Sequence, residues 1–154
     1  MRSSVDRFVA GSYCVRGTVR ATGPVVQWEG CVDGDEESYR SQIGGRVVDS
    51  RRTGDLLRFR RADDPASVWT DMPRDARLDL SVLARGTPSD GERRGGALTV
   101  TLHFDGEDVL SALAHIPSIG ASDVVVTVVD GRLSTVHIDF ADHASADLSY
   151  TPSV

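Results

Sequence analysis

Apolar and polar positions alternate along most of this chain with the two-residue period of a half-buried strand, and the alternation breaks at glycine-containing turns. The clearest stretch is 13–32, which reads as a β-hairpin with two distinct faces. Paired from Tyr13 and Val32 inward, Val15 meets Gly30, Gly17 meets Trp28 and Val19 meets Val26 on one face. The other face sets Cys14 opposite Cys31, Arg16 opposite Glu29 and Thr18 opposite Gln27, with one pair of opposite charges among them. The two glycines leave room for the indole ring, and 21–24 forms the turn. A slip of one residue would turn Trp28 and its valine neighbours into water.

The same reading continues as a meander. Strands are expected over 38–43, 46–52 and 56–61, separated by the Gly44-Gly45 and Thr53-Gly54-Asp55 turns, with a short strand at Val68-Trp69-Thr70 ending at Met72-Pro73. In 56–61, Leu57 and Phe59 share one face while Arg58 and Arg60 share the other. Further on, Leu98, Val100, Leu102 and Phe104 alternate with Thr99, Thr101 and His103, which predicts a strand over 97–104. Asp130-Gly131, the strongest hairpin signal in the chain, joins strands over 124–129 and 132–140. A last strand over 144–150 sets Leu148 opposite Val136 and Ala146 opposite Ile138.

Three segments carry helical spacing instead. One is 3–10, behind a serine cap; the second is 76–83, capped by Asp75, with Leu78, Leu80, Val82 and Leu83 on its apolar side. The third is 105–116, with Val109, Leu110, Leu113 and Ile116 in register and Pro117 as its stop. The stretch 86–96 holds four glycines, Pro88 and the pair Arg93-Arg94, and reads as an exposed, mobile loop between two halves. The sum is an α+β fold: a strongly curved, one-sided antiparallel sheet with a few short helices. Such a sheet tends to leave an apolar hollow instead of a filled core, although for any single residue ordinary core packing is the simpler reading.

Composition narrows the picture. A chain of 154 residues with 40% hydrophobic content suits one domain spanning 1–154. A net charge of -6 argues against nucleic acid as a partner, because gripping phosphates needs a basic field. All 17 basic residues are arginine, and asparagine is absent too. That removes Schiff-base lysines, a Walker lysine and N-glycosylation. Codon bias in a high-GC genome, such as that of an actinobacterium, accounts for it. Six arginines fall between Arg46 and Arg61. They read either as an anion or head-group site or as the solvated face of adjacent strands balanced by Asp49, Asp55, Asp63 and Asp64, and alternation with apolar partners favours the second.

The hairpin register makes a Cys14–Cys31 disulfide feasible, since directly opposed Cβ atoms lie about 4.5–5.5 Å apart. Closing such a loop stabilises by about 3 kcal/mol and is most useful outside the cytosol. Two unbridged thiols are the alternative. No apolar run is long enough to cross a membrane, and 1–10 has neither an apolar signal core nor a lipid-attachment cysteine, so an exported protein would have this as its trimmed mature domain.

The search for chemistry returns little. His137, Asp139 and His143 are close in sequence, but alternation with Val136, Ile138 and Phe140 turns His137 and Asp139 outward, and His103 likewise alternates out. His115 sits at a helix end, where a cation meets the negative end of the dipole. There is no nucleophile-elbow motif, a bridge consumes the cysteines, and Gly95-Gly96 precedes a strand instead of a phosphate-cradling helix. The expectation is a protein that is not an enzyme, with no metal and no cofactor.

The order of motifs resembles a known family. Ser12, Tyr13 and Gly17 open the hairpin; Glu29, Gly30, Val32, Asp33 and Gly34 end it; Gly54 and Asp55, then Trp69, Thr70 and Pro73, follow in sequence. The helix over 105–116 and the Val128-Val129-Asp130-Gly131-Arg132-Leu133 hairpin continue the pattern across nearly the whole chain. In this order the chain looks like the mycobacterial LppX and LprG lipoproteins, relatives of the LolA lipoprotein carriers. The resemblance implies a half-barrel wrapped over helices on its concave face, enclosing a cavity for the acyl chains of lipids or lipoglycans. The chain departs from those relatives in its shorter length, its truncated first helix and its missing lipobox cysteine.

Residues expected to line the cavity are Val15, Val19, Val26, Trp28, Leu57, Phe59, Trp69, Leu98, Val100, Leu102, Leu110 and Leu113. The expected function is extracytoplasmic lipid binding or transfer in the cell envelope, with an envelope transport partner and an upstream lipid anchor left open. The alternative is a solid-core, β-rich interaction or sensor module of an envelope protein.

Overall fold

The structure, a computed structural model, describes residues 12–21, 23–73, 78–105, 108–114, 116, 122–140 and 144–152, with Met72 and Pro73 as backbone only. Among them are eleven strands: β1 (Tyr13–Arg20), β2 (Val26–Asp33), β3 (Glu36–Ile43), β4 (Arg46–Thr53), β5 (Leu56–Arg61), β6 (Thr70–Pro73), β7 (Thr87–Arg94), β8 (Ala97–Phe104), β9 (Ser122–Val129), β10 (Arg132–Asp139) and β11 (Ser145–Pro152). A 3₁₀ helix (Leu80–Arg85) lies between β6 and β7, and α1 (Val109–Ala114) lies between β8 and β9.

All strands belong to one sheet in the order β6-β5-β4-β3-β2-β1-β11-β10-β9-β8-β7, with β1 at its centre. The chain meanders outward from β1 to the β6 edge, passes through the 3₁₀ helix, and restarts at the opposite edge with β7. It then meanders back to β11, which pairs antiparallel with β1. Because β6 and β7 are edges, the sheet is open, which fits the curved sheet expected from the sequence and not a closed barrel.

The β1–β2 register is the expected one at every position from Tyr13–Val32 to Val19–Val26, and Cys14 is bonded to Cys31. The β10–β11 register likewise sets Val136 against Leu148 and Ile138 against Ala146. The two hairpin glycines make room for different neighbours. A Cβ on Gly30 would lie 3.0 Å from Cη2 of Trp28, so this glycine does accommodate the indole ring. A Cβ on Gly17 would instead meet Cδ2 of Leu148 on β11, so the space there serves the strand on the other side of β1.

The stretch 86–96 is not a loop. Thr87–Arg94 is edge strand β7, paired with β8 from Thr87–His103 to Arg94–Ala97, and Gly95 at φ 58° opens a tight two-residue turn. Every residue of β7 is exposed, so neither face carries an apolar period. Pro88 and the register shift between Pro88 and Asp90 are edge-strand features that discourage pairing with a further chain.

The helical segments begin later than expected. Asp79 caps the 3₁₀ helix, its carboxylate accepting from the Ser81 N–H at 3.0 Å. The Asp108 carboxylate accepts from the Ser111 N–H at the start of α1. The expected helix over 3–10, Asp75, His115, Pro117 and His143 lie outside the described residues.

A Gly17→Ala variant should lose about 1–2 kcal/mol in urea unfolding, because Leu148 must leave a close-packed position. Adding Leu148→Val should restore part of the loss. Equal stability of wild type and Gly17→Ala would show that the interval between β1 and β11 is loosely filled.

Candidate functional site

One face of the sheet is apolar and carries the helical segments. Its packed cluster combines Val15 and Trp28 of the hairpin with Leu102, Val124, Val126, Val136, Ile138 and Leu148 from the C-terminal wing, and with Leu80, Val82, Leu83, Leu110 and Leu113 from the helical segments. The backbone N–H of Asp79 donates to the Ala112 carbonyl at 2.8 Å and ties the two segments to each other above the sheet.

Of the residues expected to line a cavity, Val15, Trp28, Leu102, Leu110 and Leu113 lie inside this cluster, and Val19 and Val100 pack against it. Val15 is 1% and Trp28 3% exposed. Leu57 is buried beyond the cluster, while Val26, Phe59 and Leu98 are half-buried. On the β3–β5 wing the same face carries half-buried Tyr39, Val48 and Phe59, and Ile43 is 46% exposed. Apolar area therefore continues past the packed cluster toward the β6 edge.

Trp69 stands apart from this group. Its ring lies 4.6 Å from the Arg60 guanidinium carbon and 5.2 Å from that of Arg51, two residues on the polar face of β4 and β5. The aromatic ring turns toward these cations because Arg51 and Arg60 share the face opposite Leu57 and Phe59.

A buried ion pair lies at one end of the apolar face. Glu37 and Arg52 face each other across β3 and β4, between Val32 and Leu57, and are 5% and 1% exposed. Arg52 Nε is 3.7 Å from Glu37 Oε2, Arg52 Nη1 donates to the Gly54 carbonyl at 2.9 Å, and Glu37 Oε1 accepts from the Leu78 N–H at 3.0 Å. The pair thereby holds the chain entering the 3₁₀ helix onto the sheet. Burial first, then the charges of Glu37 and Asp79, push the Tyr13 phenol well above its ordinary value. Strand parity alone places Glu37 beside Val32 on the inner face, so the burial was readable from the register.

The polar face is organised by charge. Arg16, Glu29, Arg40, Asp49 and Arg60 face one another in one row across β1 to β5, alternating in sign. Arg40 binds Asp49 through two contacts, at 2.6 and 3.0 Å, which holds the Asp49 carboxyl below its usual range. Arg61, helped by the Val47 N–H, lowers Asp63 to about 2. Arg58 pairs with Asp71 at 3.0 Å. Of the six arginines between Arg46 and Arg61, Arg51, Arg58 and Arg60 lie on this face, in line with the reading of a solvated surface, whereas Arg46, Arg52 and Arg61 alternate onto the face of Leu57 and Phe59, where Arg52 is buried against Glu37.

Two histidines lie on this face, each between two carboxylates. His137 meets Asp147 at 2.6 Å through Nδ1 and Asp139 at 3.0 Å through Nε2; His103 meets Asp123 at 2.8 Å and Asp105 at 3.0 Å. These contacts raise both imidazoles above the ordinary histidine value, led by the Asp147 and Asp123 hydrogen bonds. The expected pairing of Ala146 with Ile138 already places Asp147 opposite His137, so this contact was implicit in the sequence reading. Among the described residues no group of His, Cys, Asp and Glu is arranged to hold a metal ion. Two open hollows lie over the polar face, one of about 740 Å³ around the disulfide and one of about 490 Å³ beside it.

No protein-family model matches the chain, and no curated protein does. Among solved structures, the crystal structure of Mycobacterium tuberculosis lipoprotein LppX is similar in fold, with a TM-score of 0.53 at 18% sequence identity, covering 96% of this chain and 90% of that one. The resemblance read from the order of motifs is therefore present in the fold.

Removing one partner of the buried pair, as in Glu37→Gln or Arg52→Met, should cost about 3–5 kcal/mol in urea unfolding, and the double variant Glu37→Leu with Arg52→Met should cost less than either. A double variant as unstable as the sum of the singles would mean that the two charges act separately. The His137 pKa is raised by folding, so its contribution is fully present below the unfolded value of about 6.5 and is lost as pH rises through the folded value. His137→Gln should therefore melt below wild type at about pH 5.5, with the gap closing by about pH 9. A gap that widens with pH would reverse the assigned sign.

Proposed function

We propose that this chain is a non-enzymatic, extracytoplasmic lipid-binding or lipid-transfer protein that holds acyl chains against the apolar face of its sheet. The observation that carries the reading is the fold itself, which it shares over 96% of its length with a lipoprotein. Family resemblance supplies the ligand class, acyl chains of a lipid or lipoglycan. The disulfide suits an oxidising compartment. The apolar strip from Tyr39 through Val48 to Phe59, running outward from the packed cluster at Trp28, is where a chain would lie, each buried methylene contributing about 0.8 kcal/mol. An envelope partner that loads or unloads the lipid belongs to the same proposal, as does the whole of 1–154 acting as one domain.

The second reading, a solid-core interaction module of an envelope protein, draws on the close burial of Val15 and Trp28. Lipid extraction and mass spectrometry of gently purified protein separate the two. The lipid reading expects co-purified acyl lipid. It also expects a change in Trp28 fluorescence when a Trp69→Phe protein is titrated with cis-parinaric acid, and on the order of tenfold weaker uptake in Phe59→Glu. Protein free of lipid, with tryptophan emission indifferent to the fatty acid, would leave the solid-core module as the correct reading.

A further inference from the structure

The polar face carries two open hollows, and the lipid-binding proposal makes no use of them. Both are lined by Arg16, Glu29, Arg40 and Ser149, so they join into one trough across β11, β1, β2, β3 and β4. The Cys14–Cys31 disulfide lies in the larger hollow and ties β1 to β2 beneath it. Gln27 and Gln42, directly opposite each other on β2 and β3, line the smaller one.

From this lining we infer that the trough binds a neutral oligosaccharide. Its charges compensate: Arg16, Arg40 and Arg51 stand against Glu29, Asp49 and Asp147. Several are already engaged with one another, Arg16 with Glu29 at 3.6 Å and Arg40 with Asp49 at 2.6 Å. An anion entering here gains from the arginines and loses to carboxylates of equal number, so net charge is not what the site selects. A sugar hydroxyl donates and accepts at once, and bridges an arginine and its neighbouring carboxylate without separating them. Gln27 and Gln42 offer both functions on one side chain, and Ser38, Ser149 and Thr151 add hydroxyls.

A peptide strand is a poorer fit. The trough lies over interior strands whose backbone N–H and C=O groups are taken by neighbours on both sides, whereas strand addition needs an edge, and the edges are β6 and β7. Trp69 adjoins the trough at the Arg51 end, outside the lining of both hollows. The ring is half-buried and lies beside Arg51, which lines the larger hollow, so it offers an aromatic surface on which a sugar ring can stack. The bridged strands hold these groups in place before the ligand arrives, which limits the ordering cost of binding.

The test is an array of immobilised neutral and sulfated oligosaccharides, probed with the full chain, with Gln27→Ala/Gln42→Ala and with Trp69→Ala. The proposal expects retention on neutral glycans that survives about 0.5 M salt, since no net charge is neutralised. It expects at least about tenfold weaker retention in each variant, with unchanged circular dichroism because the three side chains lie outside the packed core. No retention on neutral glycans overturns it. So does retention confined to sulfated glycans and abolished by salt, or equal binding by wild type and both variants.

Discussion

Everything in this fold hangs on the register of β1. It is the central strand of eleven, paired to β2 on one side and β11 on the other, so both meandering wings take their facing from it. Strand side chains alternate with a period of two, and a one-residue slip of β1 would carry Val15 and Val19 to the wet face and Cys14 and Arg16 to the dry one. Two devices oppose that slip. The disulfide locks β1 to β2 at one pair of positions, and Gly17 admits Leu148 from β11 at one position alone.

With the register held, the two faces take on different physical tasks. The apolar face gathers the helical segments and packs most densely over the centre and the C-terminal wing, whereas on the N-terminal wing it carries a buried ion pair and a strip of half-buried aromatic and aliphatic side chains. Glu37 and Arg52 bridge sheet and cover: the carboxylate holds the Leu78 N–H, and the guanidinium holds both the carboxylate and the Gly54 turn. A buried pair of this kind contributes little net stability compared with an apolar pair, but it punishes any arrangement in which one charge is left alone, so it specifies where the covering segment docks. The polar face repeats the principle in water, with charges of alternating sign across five strands in a chain whose net charge is -6.

Trp69 shows the limit of reasoning from apolarity. As a large aromatic in a short strand it was grouped with the inward residues, yet cation–π contact with Arg51 and Arg60 sets it on the other face. The edge strand β7 shows another limit, because both of its faces are wet and nothing in its side chains reports a period. Its pairing is written in backbone hydrogen bonds and in the Gly95 turn, which a glycine-rich sequence conceals among other glycines.

Periodicity and turn chemistry were enough to read nearly all the strands, the β1–β2 and β10–β11 registers, the cysteine pairing and the division of Leu57 from Arg58, because each depends on neighbours along the chain or on one hairpin partner. Strand order, by contrast, rests on contacts between residues far apart in sequence. That β11 closes on β1, that Gly17 makes room for Leu148, that Glu37 reaches Leu78, and that Asp123 of β9 meets His103 of β8 all follow from such contacts. Local pattern says which way a side chain faces; folding in three dimensions chooses what it faces.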